Sequence, residues 1–282
     1  MPSIPYDTSP EALFNPQVRE TLYVQGQVCT PVQIAVEAAR LAYLRFEQED
    51  GVEKSRLAQA LSRIGFGAPS VFHHAQTNSQ AFGAYRASDR LALVAFRGTQ
   101  ADSFKDILTN LLFLPALSFD RVKVHSGFKD RAQALLPAIN QWLAAQATQR
   151  TGLLLAGHSL GAALATVAAS SLPGSRLITI GSPQVGNAAF GERLQSVDCL
   201  RIVNHQDIVC SLPLPIDGIL YSHVGTAQYL SADGLVRDAQ EGPPPAPGIA
   251  GLLAGIRAGT LFSTLPRPLT DHAPINYIRA FF

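Results

Sequence analysis

Gly157-His158-Ser159-Leu160-Gly161 follows an apolar run, Thr151 to Ala156, and opens an alanine-rich stretch, Ala162 to Ser170, unbroken by glycine or proline. Strand, sharp turn and helix in that order are what a G-x-S-x-G nucleophile elbow needs. Gly157 and Gly161 keep side chains out of the crowded turn, so Ser159 can project from the sheet edge in a strained conformation. Ala162, Ala163 and Ala165 let the following helix lie close to the sheet. An unassisted serine hydroxyl is a weak nucleophile at neutral pH. The rest of the chain must therefore supply a base, an orienting acid and an oxyanion hole.

Three histidines follow Ser159: His205, His223 and His272. In α/β-hydrolases the acid and then the base follow the nucleophile. His272, in the late loop Thr270-Asp271-His272-Ala273-Pro274, suits a base that hangs over the sheet edge, with His223 as the alternative. For the acid, Asp207 follows the strand-like run Cys199 to Val203 and falls at the carboxyl edge, where chemistry collects in open α/β sheets. Asp198 precedes the same run and falls at the opposite edge, while Asp217 and Asp271 read as surface turn residues.

The elements that must position these groups alternate. Strand signals occur at Ala81 to Arg86, Leu91 to Arg97, Val122 to His125, Gly152 to Ala156, Leu177 to Ile180 and Cys199 to Val203. Helical patterns occupy Val32 to Glu47, Glu53 to Ile64, Phe128 to Ala147, Leu160 to Ser171 and Asn187 to Gln195. This alternation predicts an α/β fold with a mostly parallel sheet and helices on both faces. Residues 1–30, punctuated by prolines, read as an irregular arm. The run Glu241 to Gly248 is proline-rich and leads into an apolar stretch, Ile249 to Phe262, whose only charge is Arg257. The expected organisation is one domain over 1–282 carrying an insertion or flap at 241–265.

Of the 282 residues, 47% are hydrophobic and 15% charged, as in a globular protein with a substantial core. A net charge of +1 without a basic run gives no support for nucleic-acid binding. Cys29, Cys199 and Cys210 form neither a disulfide framework nor a metal-ligand pattern, and reduced buried thiols are expected. The first residues lack the basic stretch and apolar core of a secretory signal, and no run reaches membrane-spanning length. Those features fit a cytoplasmic protein or one exported by another route.

Taken together, the motifs resemble the class 3 lipases, the α/β-hydrolase family typified by fungal triacylglycerol lipases. Phe96-Arg97-Gly98-Thr99 resembles the family's oxyanion strand end, and Val124-His125-Ser126-Gly127-Phe128 its V-H-x-G-F segment. Gly157 to Gly161 is similar to G-H-S-L-G, Asn204 to Pro213 to the stretch bearing the acid, and Tyr221 to Gly225 and Asp271-His272 complete the series. The resemblance implies Ser159, Asp207 and His272 as a triad, with Thr99 and the backbone N–H of Leu160 as oxyanion donors. No metal or organic cofactor is required. It also implies that His158 points away from the reacting group. Arg97 is expected to pair with a buried carboxylate and support the loop, and His125 to pack or hydrogen-bond near the core.

Between Thr99 and Val122, Phe104, Ile107, Leu108, Leu111 and Leu112 form one stripe of a helix. Ser103 and Asp106 can cap it and Pro115 helps to end it. In the resembling lipases this region, 100–120 here, is a lid that opens at a lipid surface; a fixed core helix is the alternative. Gly251, Gly255 and Gly259 recur every four residues in the later insertion, which reads as an acyl-chain wall or a plain packed segment. The expected function is hydrolysis of a lipid or other ester, with acylglycerols first and transient contact with a lipid interface. Phospholipid esters, feruloyl or short-chain esters, and a non-catalytic binding protein are the alternatives.

Overall fold

The computed structural model describes residues 4–48, 51–100, 121–146, 148–213, 220–237 and 265–282. The expected lid residues Phe104, Ile107, Leu108, Leu111 and Leu112, the apolar stretch 249–262 and Asp217 lie outside the described residues. Among those described, no helix is long and apolar enough to cross a membrane.

Among the described residues, seven strands form one sheet in sequential order: β1 (Ser70–His74), β2 (Ser79–Arg86), β3 (Leu91–Phe96), β4 (Gly152–His158), β5 (Ser175–Ile180), β6 (Asp198–Asn204) and β7 (Thr226–Leu230). β1, β2 and β3 pair antiparallel, and β3 to β7 run parallel. Crossovers between parallel strands are right-handed, so successive ones in one direction put their helices on one face. Those helices are α4 (Ser126–Ala145), α5 (Leu160–Ala169) and α6 (Ala188–Glu192), and α4 packs on α5. The other face falls to α2 (Pro31–Leu41), which packs on β4 and β5, and to α8 (Pro274–Ile278), which packs on α2 and β6. Short helices α1 (Pro10–Phe14) and α7 (Arg267–Thr270) meet beside them, and α3 is Val52–Ser62.

Helix α2 begins where its sequence dictates: Pro31 takes the first turn, and the Thr30 and Gln33 side chains satisfy each other's backbone N–H groups in a capping box. Every residue from Ile34 to Leu41 is buried, including Glu37 and Arg40, which pair at 2.6 Å. Arg40 also donates to the carbonyls of Pro16, Arg19 and Glu20, so this buried pair anchors the N-terminal arm.

The parallel sheet and both helical layers match expectation, with four corrections. Val122 to His125 is not a strand: Val124 makes a single bridge to Gly186, so the run has one paired residue. The first helix stops at Leu41 instead of Glu47, because the chain tightens into turns (Tyr43 N–H to the Arg40 carbonyl, Leu44 N–H to the Leu41 carbonyl) that aim Tyr43 and Glu47 at the site. Strands β1 and β7 carry weak apolar alternation and were not expected. The arm contains α1, capped by Ser9. All three cysteines are free and buried.

Candidate active site

Strand β4 runs into the elbow, and Ser159 sits at φ 58°, ψ −126°, between β4 and α5. A non-glycine residue there stores strain of about 1–3 kcal/mol, tolerated only where the surroundings over-determine it. Here they do. A Cβ on Gly157 would lie 2.2 Å from the Gly161 carbonyl oxygen, and one on Gly161 would lie 2.2 Å from the Phe96 carbonyl oxygen. Those glycines let strand end, turn and helix interlock, while the Ser159 N–H donates to the Ile180 carbonyl at 3.0 Å.

That last bond carries the site across the sheet. The next residue, Gly181, adopts φ +56°, and a Cβ there would lie 2.9 Å from Asp207 Oδ2 and 3.1 Å from His272 Nδ1. Asp207 and His272 are both buried, and the His272 Nδ1–H donates to Asp207 Oδ2 at 2.7 Å. A carboxylate can only accept, so the proton resides on Nδ1 and the neutral ring carries its lone pair on Nε2. Asp207 Oδ1 accepts the Val209 N–H at 2.9 Å, capping the 3₁₀ turn Ile208–Ser211. Oδ2 also accepts the Tyr277 hydroxyl. Burial, reinforced by Asp207, raises the Tyr277 pKa well above its ordinary value and keeps that hydroxyl a donor.

His158 is buried, with Nε2 2.8 Å from the His272 carbonyl oxygen and Nδ1 2.8 Å from the Tyr43 hydroxyl. The carbonyl cannot donate, so Nε2 bears the proton and Tyr43 donates to Nδ1. Burial and the nearby His272 ring push the His158 pKa well below its usual value, so it stays neutral. This ring holds the backbone of His272 and packs against its imidazole, with 4.5 Å between ring centres.

The strand end after β3 lies against the elbow: Phe96 is in register with Gly157, and a Cβ on Gly98 would lie 2.8 Å from the His158 carbonyl oxygen. Thr99 follows at once. Its hydroxyl is buried without a hydrogen bond to any described residue. Behind it Arg97 forms a bidentate pair with Glu47, at 2.7 and 2.9 Å, and its Nε donates to Gln80 at 3.1 Å. Burial pushes the Glu47 carboxyl up, but the Arg97 hydrogen bonds and charge outweigh it and hold that pKa below its ordinary value.

Of the other positions, Asp198 and His125 lie as expected, whereas Asp271 does not. His223 donates through Nε2 to the Cys210 carbonyl at 2.7 Å, and burial lowers its pKa to about 4. Asp198 is exposed at the start of β6 and pairs with Arg176, at the edge away from Ser159. Asp271 is not a surface turn residue but fully buried, because its oxygens serve the Tyr6 hydroxyl and the Gln206 N–H. His125 stacks on Phe128 at 4.2 Å between ring centres, and burial lowers its pKa to about 4. Tyr43, Tyr277 and Gly181 carried no motif. Only Gly181, a glycine ending an apolar strand, gave a readable signal.

Residues 93–216 match the model of the class 3 lipase family, a little under half of the chain. Over those residues the chain is similar to the class 3 lipases. It is 37% identical over 86 residues to the secreted mono- and diacylglycerol lipase A of Penicillium cyclopium, covering 28% of each chain. It is 41% identical over 68 residues to the chloroplastic phospholipase A(1) DAD1 of Arabidopsis thaliana, covering 21% of this chain and 15% of that one. The chain spans less than a third of the length of the curated relatives it matches. Its fold is similar to the Rhizomucor miehei triacylglyceride lipase structure, with TM-score 0.59 and 18% identity, covering 88% of this chain and 95% of that one. The matched segment includes Thr99, Ser159, Leu160 and Asp207. His272 lies outside it and reaches Asp207 only through the fold.

Proposed function

We propose that the chain is a serine carboxylic-ester hydrolase, a lipase that cleaves acylglycerol esters through an acyl-enzyme. The observation that carries this reading is the coincidence at one sheet edge of a serine held at φ 58° and a buried His272–Asp207 pair at 2.7 Å. In this reading Ser159 Oγ attacks the ester carbonyl carbon while His272 Nε2 takes its proton. Asp207 holds the ring in the Nδ1–H tautomer and balances the imidazolium. The oxyanion accepts hydrogen bonds from Thr99 and from the Leu160 N–H at the start of α5. Collapse of the tetrahedral adduct breaks the carbon–oxygen bond, and the alcohol leaves with the proton from His272. Water then attacks the acyl-enzyme by the same route, releasing the fatty acid and restoring Ser159.

The acylglycerol choice rests on the class 3 lipase segment and on the Penicillium relative's name. A phospholipase A(1) is the second reading, favoured by the Arabidopsis relative. The apolar stripe from Phe104 to Leu112 and the stretch 249–262 fit a lipid-facing lid and an acyl-chain wall on sequence grounds. Hydrolysis of p-nitrophenyl esters by the wild type, abolished in Ser159→Ala, tests the chemistry. Full turnover by that variant would refute it. A series over chain length, triglyceride and phospholipid emulsions separates the two substrate readings.

A further inference from the structure

The loop bearing His272 is tied both to the N-terminal segment and to the loop bearing Asp207. Asp271 Oδ1 accepts the Tyr6 hydroxyl at 2.7 Å, and Oδ2 accepts the Gln206 backbone N–H at 3.1 Å. Gln206 adjoins Asp207 and Asp271 adjoins His272, so this one carboxylate bridges the acid loop to the base loop, a residue away from each. The Asn204 side chain adds a second tie, donating to the Asp271 carbonyl at 2.9 Å.

The N-terminal segment seals this junction. Tyr6 also exchanges a hydrogen bond with the Thr270 hydroxyl at 2.7 Å. Arg267 and Arg279 lie over its ring, 5.4 and 5.2 Å from the centre. Asp7 and Asn276 form a two-bond clasp: the Asp7 N–H donates to Asn276 Oδ1 at 2.9 Å, and Asn276 Nδ2 donates to the Asp7 carbonyl at 2.7 Å. A buried carboxylate costs free energy unless hydrogen-bonded. Burial pushes the Asp271 pKa up, while Tyr6, the Gln206 N–H and Arg267, 3.6 Å away, pull it back. Asp207 and His205 complete the titratable groups around it. Without the Tyr6 hydroxyl, Asp271 would hold a proton to higher pH and weaken its grip on Gln206.

Building on the hydrolase reading above, we propose that Tyr6 is a positioning residue for the base: through Asp271, its hydroxyl holds the His272 loop against the Asp207 loop. The N-terminal strap then sets the geometry of the reaction without touching substrate.

The test is Tyr6→Phe, which keeps the ring beneath Arg267 and Arg279, measured against Tyr85→Phe, which removes an exposed hydroxyl bonded to the Gln149 carbonyl at 3.0 Å. Active sites are counted by titration with a p-nitrophenyl phosphonate, so kcat refers to competent enzyme. Tyr6→Phe should lower kcat on a soluble ester about tenfold, a displacement effect. KM should stay within about twofold, the acid limb of the kcat profile should move to higher pH, and the low-field proton signal of His272 Nδ1–H should move or broaden. Asp271→Asn should lower kcat similarly, and Tyr85→Phe should change nothing. Wild-type kcat per titrated site with an unmoved proton signal would overturn the proposal, as would a loss confined to the number of titratable sites. Turnover by Ser159→Ala would instead sink the hydrolase reading, and the His272 signal would still report on the strap.

Discussion

Gly181→Ala tests the geometry at its tightest point. The residue holds φ +56°, where alanine costs about 1–2 kcal/mol relative to glycine. The added methyl would lie 2.9 Å from Asp207 Oδ2 and 3.1 Å from His272 Nδ1. Comfortable carbon–oxygen contact begins several tenths of an ångström further out, so the acid and base must move apart or the strand end must retreat. With an unfolding entropy of about 2.1 cal/mol/K per residue over 282 residues, the backbone cost alone lowers Tm by about 2–3 °C. Displacing the imidazole by a fraction of an ångström should lower kcat about tenfold, equivalent to about 1.4 kcal/mol of barrier, with little change in KM. Calorimetry and steady-state hydrolysis of p-nitrophenyl butyrate read the two effects separately. A variant with wild-type kcat and an unshifted Tm would refute the view that Gly181 sets the spacing of the pair.

Two further outcomes follow from the same geometry. Thr99→Val deletes a buried hydroxyl that has no described partner and keeps the backbone N–H; kcat should fall by roughly 10²-fold with Tm nearly unchanged, and Thr99→Ser should retain activity. Equal kcat in Thr99→Val would remove that hydroxyl from the oxyanion site. His125 and His223 have pKa values lowered from 6.5 to about 4, first by burial, and His158 is lowered well below 6.5 for the same first reason. The unfolded chain therefore takes up protons that the fold refuses, so stability is full above pH 6.5 and lost as the pH falls toward 4. Tm measured across that window should fall, and His223→Gln, which can still donate to the Cys210 carbonyl, should flatten the decline; a level Tm would contradict the burial of neutral imidazoles.

Much of the site was legible because its signals are local. An apolar strand, two glycines and an alanine-rich helix define an elbow within twenty residues, and Asp207 was readable from its position after β6. The length of α2 was misjudged because apolar periodicity continues past Leu41, whereas tertiary contacts of Tyr43 and Glu47 dictate the turn. Asp271 looked like a turn residue because its type and neighbours fit a surface loop. Its burial depends on Tyr6, 265 residues away.

The sequence by itself pointed to the residues of the proposed chemistry, since a serine between glycines, an acid after a strand and a late histidine can be recognised by type, order and spacing. Only the tertiary structure decided the alignment: which oxygen Asp207 offers to His272, which tautomer His158 adopts, and how Tyr6 reaches the base loop. Those relations are hydrogen bonds and packing contacts between segments remote in the chain, and their geometry exists only once the sheet and its two helical layers have brought those segments together.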